Sequence, residues 1–304
     1  MIELKRSLHI GMIGLDTSHV SIFAKLLHRG RTEPASRLSG ATIGCAYPGG
    51  SPRMELSYSR VDRYRNELVQ QFGVQMLDSI EAVAEASDAI MIESVDGTTH
   101  LEQFRRVAPY GKPIFIDKPF TTSLEDAYEI FSLSERNKVP VMSSSSLRYA
   151  AALTNALQRE EQGEIIGADV RGPMPFVQGQ PGYFWYGVHT VEMLFAIMGQ
   201  ECRQVHTICS GEHEMIIGCW SDGRIGTVRG RRRGGSFGAV IHRQSGSDYV
   251  DIQAGSTYYE SLLEQVIGFF HTGHSPVSLK ETLAVIGFVE AANRSRQTGN
   301  ACFL

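Results

Sequence analysis

The residues that could most readily do chemistry in this chain lie in the segment 114–120, IFIDKPF. A short run of apolar, β-branched and aromatic residues between Pro113 and Pro119 predicts a buried strand. Lys118 ends that run, and a residue before proline is restricted to extended conformations. Ligands bind at the carboxyl ends of strands in open parallel sheets. The position predicts that the amine of Lys118 faces a ligand crevice. The alternative is an ordinary solvated lysine in a strand-to-helix turn.

A second candidate is an imidazole near the start of an apolar helix, in the segment 183–192, YFWYGVHTVE. His189 and Glu192 are three residues apart, so they share one face of that helix. A histidine that meets a lysine from another part of the chain makes a sensible proton-transfer pair. The alternative is a core histidine whose ring makes an ordinary hydrogen bond.

The turn after the first predicted strand, Leu8–Ile13, stands where a dinucleotide-binding turn belongs. A helix that follows such a turn presents its N–H groups and positive dipole end to a pyrophosphate. If Gly14 is the first glycine of a G-x-G-x-x-G pattern, Asp16 and His19 replace the other two. Asp16 would bring a negative charge to a phosphate. Alternatively Asp16, Thr17 or Ser18 caps the helix.

The second predicted strand, 41–46, ends in a Gly/Pro-rich segment that contains Tyr47, Ser51 and Arg53. An NAD-specific site usually carries an acidic residue here for the ribose hydroxyls, and none is present. Arg53 and Ser51 could accept a 2′-phosphate, which would favour NADP. The alternative is a plain loop.

The third ligand-side turn follows the buried strand 88–92 and reads ESVDGTTH over 93–100. Its small polar residues suit contact with a ribose or a substrate, so Ser94, Val95 and His100 are cofactor candidates. The alternative for His100 is a histidine at a helix start that makes one local hydrogen bond.

Strands and helices alternate up to about residue 150, which predicts an α/β fold with a Rossmann-type, doubly wound parallel sheet. Later strand-like runs follow each other without helices between them, so an α+β domain with a predominantly antiparallel sheet is expected. The predicted division is a dinucleotide-binding domain over residues 1–122 and a substrate and oligomerisation domain over 123–304. The crossover helix 123–137 could pack on the first domain.

Composition limits the class of protein. The 304 residues are 42% hydrophobic and 20% charged, with a net charge of −4, as in globular proteins and unlike most nucleic-acid-binding ones. No apolar stretch reaches the length that spans a bilayer, and no signal-peptide pattern opens the sequence. The five cysteines lack Cys-x-x-Cys spacing, which favours reduced thiols, no zinc site and a cytoplasmic location.

In their order along the chain, these motifs resemble the Gfo/Idh/MocA family of NAD(P)-dependent oxidoreductases. Asp117-Lys118-Pro119 is similar to the family's Glu-Lys-Pro, and Gly187-x-His189-x-x-Glu192 is similar to its Asp-x-Gly-x-His-x-x-Asp. Further matches are the glycine turn, the turn that ends in His100, Leu147-Arg148-Tyr149 and the ending over 269–295. The resemblance covers nearly the whole chain.

The resemblance implies hydride transfer between NAD or NADP and a sugar, polyol or related hydroxy compound. Lys118 would be the acid/base and His189 would orient the substrate or relay the proton. The Lys118–Pro119 bond is a candidate for the cis form. Substrate candidates are Arg148, Tyr183, Trp185, Tyr186 and Glu192. The cofactor candidates are Gly14, Asp16, Thr17, Ser18, His19, Tyr47, Ser51, Arg53, Ser94, Val95, His100 and Asp117.

An exposed apolar sheet face in the second domain would predict a homodimer or homotetramer, with no nucleic acid or membrane as partner. The departures from the family pattern keep two other classes open. One is a ligand-binding or regulatory protein that does not turn over its ligand. The other is a redox-independent or metal-assisted lyase or isomerase that uses Asp16, His19, His100 and His189.

Overall fold

The structure is a computed structural model that describes residues 7–32, 36–253 and 257–304. It divides into two compact units, each assembled from several parts of the chain. The first unit comprises residues 1–121, 125–143 and 262–278. The second comprises residues 122–124, 144–261 and 279–304. The simple boundary predicted at residue 122 therefore differs from the structure, because the chain returns to the first unit twice.

The first unit contains a six-stranded parallel sheet in the order β3-β2-β1-β4-β5-β6. Its central strands are mostly buried and apolar, as expected for a sheet covered on both faces. The order reverses between β1 and β4, and such a switch point is where open α/β sheets bind ligands. The strands are β1 Leu8–Ile13, β2 Ala41–Tyr47, β3 Gln75–Met76, β4 Ala89–Ile92, β5 Ile114–Ile116 and β6 Val141–Ser143.

The helices of the first unit have clear local signals at their ends. Gly73 ends one helix in the left-handed region at φ 68°, where a residue without a Cβ fits best. The Ser79 hydroxyl accepts the N–H of Ala82 and caps the next helix. The helices are α1 Ser18–Thr32, α2 Glu55–Tyr58, α3 Val61–Phe72, α4 Ile80–Ala86, α5 His100–Val107 and α6 Leu124–Asn137.

The second unit contains a seven-stranded sheet in the order β12-β11-β7-β10-β9-β8-β13. It is antiparallel throughout except that β7 and β10 run parallel, so the predicted α+β class is confirmed. The strands are β7 Ile165–Pro173, β8 Cys202–Ser210, β9 His213–Trp220, β10 Ile225–Arg231, β11 Phe237–Arg243, β12 Gly246–Ile252 and β13 Cys302–Phe303.

The remaining helices are α7 Ala151–Leu157, α8 Gly187–Met198, α9 Tyr258–Thr272 and α10 Leu279–Thr298. Nearly every residue of α8 is buried, and α8 packs against β7 and β10. The other face of the sheet is not the apolar patch expected from the sequence. Arg171 pairs with Asp251, and Asp169 pairs with His242, beside exposed apolar residues such as Tyr249.

Among the helices of the described ranges, none is long and apolar enough to cross a membrane.

Candidate functional site

The turn after β1 is held tightly against the end of β4. Gly14 has φ +86°, and a Cβ added there would come within 2.6 Å of the backbone nitrogen of Ser94. The Gly14 N–H also donates to the carbonyl of Tyr47 at 3.0 Å, which ties the turn to β2. A side chain at residue 14 would be strained and would collide with backbone, so this glycine is required by geometry.

The side chain of Asp16 stabilises this turn. It is fully buried and accepts hydrogen bonds from the Val95 N–H, at 2.9 Å, and from the Ser57 hydroxyl. Burial raises the pKa of Asp16, although these hydrogen bonds oppose the shift. Thr17, rather than Asp16, caps the start of α1, because its hydroxyl accepts the N–H of His19 at 3.4 Å. Ser18, the first residue of α1, is exposed.

A cleft opens beside this turn at the carboxyl ends of β1, β2 and β4. Polar groups and a few apolar atoms line the cleft. One of the polar groups is the guanidinium of Arg106, whose Nε lies 2.6 Å from Glu81 Oε1. The cleft lies next to the switch point at the carboxyl ends of the strands, which is where open α/β sheets bind ligands. The lining residues are Asp16, Tyr47, Gly49, Gly50, Ser51, Ile80, Ser94, Asp96, Thr99, Gln103 and Arg106.

Ser51 and Arg53, the candidates for a 2′-phosphate, both turn to a neighbouring carboxylate. The Ser51 hydroxyl donates to Asp96 at 2.6 Å, and the Arg53 guanidinium donates to Thr98 and lies 3.7 Å from Asp96. The guanidinium would have to leave Asp96 to hold a phosphate. Tyr47 lines the cleft directly.

His100 is fully buried and joins two ligand-side turns. Its Nε2 lies 2.7 Å from the carbonyl oxygen of Ser94, and its Nδ1 lies 3.1 Å from that of Phe120. These contacts are the local hydrogen bonds that the alternative predicts, and a cofactor contact by His100 stays a prediction. His100 positions the segment after β4 against the segment after β5.

His19 and Asp117 form a buried pair next to Lys118. His19 Nδ1 lies 2.6 Å from Asp117 Oδ2, and Asp117 Oδ1 accepts the Lys118 N–H at 2.8 Å. Burial works to raise the pKa of Asp117, but the charge and hydrogen bond of His19 hold it below its usual value. Burial lowers the pKa of Lys118, against the nearby charges of Asp117 and Glu93. The Lys118–Pro119 peptide is cis, as predicted.

Glu93 is a residue that our sequence-based choice of site residues missed. It follows β4, is 0% exposed, and neither carboxylate oxygen has a hydrogen-bond partner among the described residues. Burial raises its pKa well above the usual value, and the charges of Asp117 and Asp16 add to that shift. The signal for it was a carboxylate directly after four buried apolar residues.

In the second unit, His189 sits in the first turn of α8 with its Nδ1 2.7 Å from the hydroxyl of Ser145. The ring of Tyr186 packs against it at 5.3 Å, and Trp185 packs against Tyr186 at 5.8 Å. Ser145 was another missed residue, although it belongs to the unusual run of four serines over 143–146.

Arg148 lies between two carboxylates. Its Nε donates to Glu192 at 2.9 Å, and its Nη1 lies 2.6 Å from Glu281. Its buried Nη2 makes no hydrogen bond to any residue in the described ranges. Burial raises the pKa of Glu192 despite the neighbouring guanidinium.

Tyr183 is buried, and its hydroxyl donates to Glu214 at 2.5 Å. The same carboxylate is paired with Arg232 and Arg296. Burial and the hydrogen bond to Glu214 raise the pKa of Tyr183 above its usual value. Because its hydroxyl is already engaged in this cluster, we leave Tyr183 out of the proposed substrate site.

Residues 50–145 match the Gfo/Idh/MocA family model, described as an oxidoreductase family with an NAD-binding Rossmann fold. The chain is 23% identical over 144 residues to the uncharacterized oxidoreductase YhhX of Escherichia coli K12. That match covers 44% of this chain and 42% of the relative, less than half of its length.

Solved structures match over nearly the whole chain. The myo-inositol dehydrogenase of Lactobacillus casei, in complex with NAD(H) and myo-inositol, is 14% identical with a TM-score of 0.75, covering 98% of this chain and 96% of that one. The myo-inositol dehydrogenase of Corynebacterium glutamicum is 16% identical with a TM-score of 0.75, covering 98% and 99%. At this level of identity the structures show the fold alone. Over residues 50–145 the family match agrees with the predicted resemblance to oxidoreductases with an NAD-binding Rossmann fold.

Proposed function

We propose that this chain transfers a hydride between NAD(P) and a sugar, polyol or related hydroxy compound. Its match to the Gfo/Idh/MocA oxidoreductase family over residues 50–145 supports this proposal. Lys118 is the acid/base in this proposal, and His189 orients the substrate or relays the proton. The observation that carries the proposal is the position of Lys118. It follows β5 at the carboxyl edge of the parallel sheet, and burial lowers the pKa of its amine.

The chain supplies a place for the dinucleotide within the first unit. Adenosine fits the cleft beside Tyr47, Gly49 and Arg106, and the turn at Gly14 brings backbone close to the pyrophosphate. The nicotinamide, when bound, accepts or donates the hydride. Lys118 takes the hydroxyl proton as the substrate is oxidised and returns it in the reverse direction.

The second unit supplies the substrate groups. The imidazole of His189 is oriented by Ser145, and Tyr186 packs against its ring. The buried Nη2 of Arg148 is a donor suited to a hydroxyl or carboxylate oxygen of a substrate. Glu192 holds the guanidinium in place rather than contacting the substrate itself.

The substrate class rests on the fold neighbours, which include inositol dehydrogenases. The test is a panel of inositols, aldoses and other polyols with NAD⁺ or NADP⁺, read by the appearance of reduced nicotinamide. We expect turnover with at least one polyol, lost in Lys118→Met and kept in Lys25→Met, an exposed lysine in α1. Calorimetric titration with each dinucleotide accompanies it. If none binds, the redox proposal is wrong.

A second candidate is a ligand-binding or regulatory protein that keeps the fold without turnover. Asp16 favours it, because its buried carboxylate stands where a glycine usually meets the pyrophosphate. Binding and turnover measured together distinguish the two proposals. Dinucleotide or sugar binding without turnover by any pair on the panel supports the second candidate and contradicts the first.

We also propose a homodimer or homotetramer in the cytoplasm. The exposed sheet face of the second unit carries Ile225 and Tyr249 among its charged pairs, which suits an interface of mixed character. A light-scattering mass equal to one chain would contradict the oligomer.

A further inference from the structure

Three potential metal ligands meet at the switch point of the parallel sheet. His19 is in the first turn of the helix after β1, Glu93 follows β4, and Asp117 follows β5. Because β1, β4 and β5 are neighbours in the sheet, their carboxyl ends bring these side chains together. One ligand atom from each residue lies within 4.8 Å of the other two.

Glu93 is the observation that points to a missing ligand. A buried polar group without a hydrogen bond is unfavourable, and more so when it is charged. Glu93 is 0% exposed, and neither carboxylate oxygen is bonded within the described part of the chain. Its neighbours His19 and Asp117 are bonded to each other. A group that binds the two oxygens of Glu93 therefore has to come from outside the described residues.

The charges around Glu93 favour a cation as that group. Asp16 and Asp117 are close enough to act on its charge, and Lys118 is the nearby cation that opposes them. A divalent cation bound by Glu93 would add positive charge where Lys118 already acts on this carboxylate. Neighbouring ligand atoms on a cation with bonds of about 2.0–2.2 Å lie roughly 3–3.5 Å apart. His19 Nδ1 and Asp117 Oδ2, now 2.6 Å apart, would move slightly apart and exchange their hydrogen bond for contacts with the cation.

We propose that His19, Glu93 and Asp117 bind one divalent transition-metal cation. One imidazole nitrogen with two carboxylate oxygens suits Mn²⁺ or Zn²⁺ better than Mg²⁺, which prefers oxygen ligands alone. The Lys118 N–H donates to the other oxygen of Asp117 and so helps to fix the orientation of that carboxylate. A cation with three protein ligands keeps positions for water or a substrate oxygen. The site would thus place a Lewis acid next to Lys118.

This proposal does not depend on the proposed function, because its test contains neither dinucleotide nor substrate. Chelator-treated protein is titrated with Mn²⁺, and the unbound ion is followed by electron paramagnetic resonance. We expect one Mn²⁺ per chain, with binding about 10- to 100-fold weaker in Glu93→Gln. The matched control is Glu129→Gln, which alters a surface carboxylate of α6 paired with Arg105 and Arg136 and should leave affinity unchanged.

A second measurement uses the unmodified protein in case Glu93→Gln fails to fold. Electron spin-echo modulation of bound Mn²⁺ should show coupling to an imidazole nitrogen, and His19→Gln should remove it. Competition with Zn²⁺ should displace the bound Mn²⁺, whereas Mg²⁺ at equal concentration should not. Absence of Mn²⁺ binding, unchanged affinity in Glu93→Gln or bound Mn²⁺ without nitrogen coupling would each overturn the proposal.

Discussion

The hydroxyl of Ser145 lies 2.7 Å from Nδ1 of His189. Ser145 stands two residues after β6, and His189 lies in the first turn of α8, so a loop and a helix meet at this bond. The bond fixes the orientation of the imidazole ring, which is also packed between Tyr186 and Phe237. If His189 contacts the substrate as proposed, Ser145 acts on the reaction through the orientation of this ring.

We therefore expect Ser145→Ala to lower kcat/KM on the best polyol by about 10- to 100-fold, because a misplaced ring loses productive geometry. Ser145→Thr keeps the hydroxyl and should recover most of the activity. Dinucleotide affinity should stay the same in both variants, since His189 belongs to the substrate part of the proposed site. If alanine and threonine behave alike, Ser145 does not position the histidine.

Lys118→Met should lower kcat by about 10²- to 10⁴-fold, the usual contribution of a general acid/base. Methionine keeps much of the length of the side chain without the amine, so the dinucleotide should still bind with nearly native affinity. Single-turnover kinetics under saturating dinucleotide measure the loss in the chemical step. Comparable turnover in this variant would remove Lys118 from the mechanism.

Most of the parallel sheet could be predicted from sequence because its longer strands are largely apolar and have helices between them. The two-residue strand β3 carries no such pattern. β7 was not predicted, because Gly167 and Gly172 break its apolar pattern. The structure explains the second glycine, since a Cβ there would come within 2.6 Å of the side chains of Phe237 and Thr190. Such contacts join distant parts of the chain and leave no local signal.

The same limit applies to the candidate site. Lys118, Asp117 and His19 were chosen because they follow strands that sequence predicts well. Glu93 and Ser145 became visible only through what surrounds them, which is an unbonded buried carboxylate in one case and an imidazole 2.7 Å away in the other. Their importance depends on long-range packing rather than on the residues next to them.

Asp16→Asn should raise the affinity for a dinucleotide. Two unit charges about 10 Å apart repel by about 1.7 kcal/mol at an effective dielectric constant of about 20, so removing the Asp16 charge should raise the affinity by about 10- to 20-fold. Asparagine oxygen can still accept the Val95 N–H, which keeps the turn intact. Calorimetric titration with NAD⁺ measures the change, and unchanged affinity would show that the charge does not reach the pyrophosphate.

The pH dependence of binding gives an independent prediction for the same residue. Burial raises the pKa of Asp16 above its usual value, so its carboxylate takes up a proton earlier than an exposed aspartate as the pH falls. Affinity for NAD⁺ should therefore rise as the pH falls toward that raised pKa, because protonation removes the repulsion. Asp16→Asn should lack this rise, and a parallel increase in both proteins would assign it to another group.

Arg148→Met should destabilise the protein strongly, because it leaves Glu192 and Glu281 without their shared cation. Removing one partner of a buried ion pair costs about 3–5 kcal/mol, and the Arg148 side chain is only 10% exposed. The matched control is Arg203→Met, which breaks an exposed pair with Glu201 and should change the free energy of unfolding by no more than about 1 kcal/mol. Urea unfolding followed by circular dichroism measures both. Equal unfolding midpoints for the two variants would mean that Glu192 and Glu281 find other partners. The main role of Arg148 would then be its contact with substrate rather than the stability of the fold.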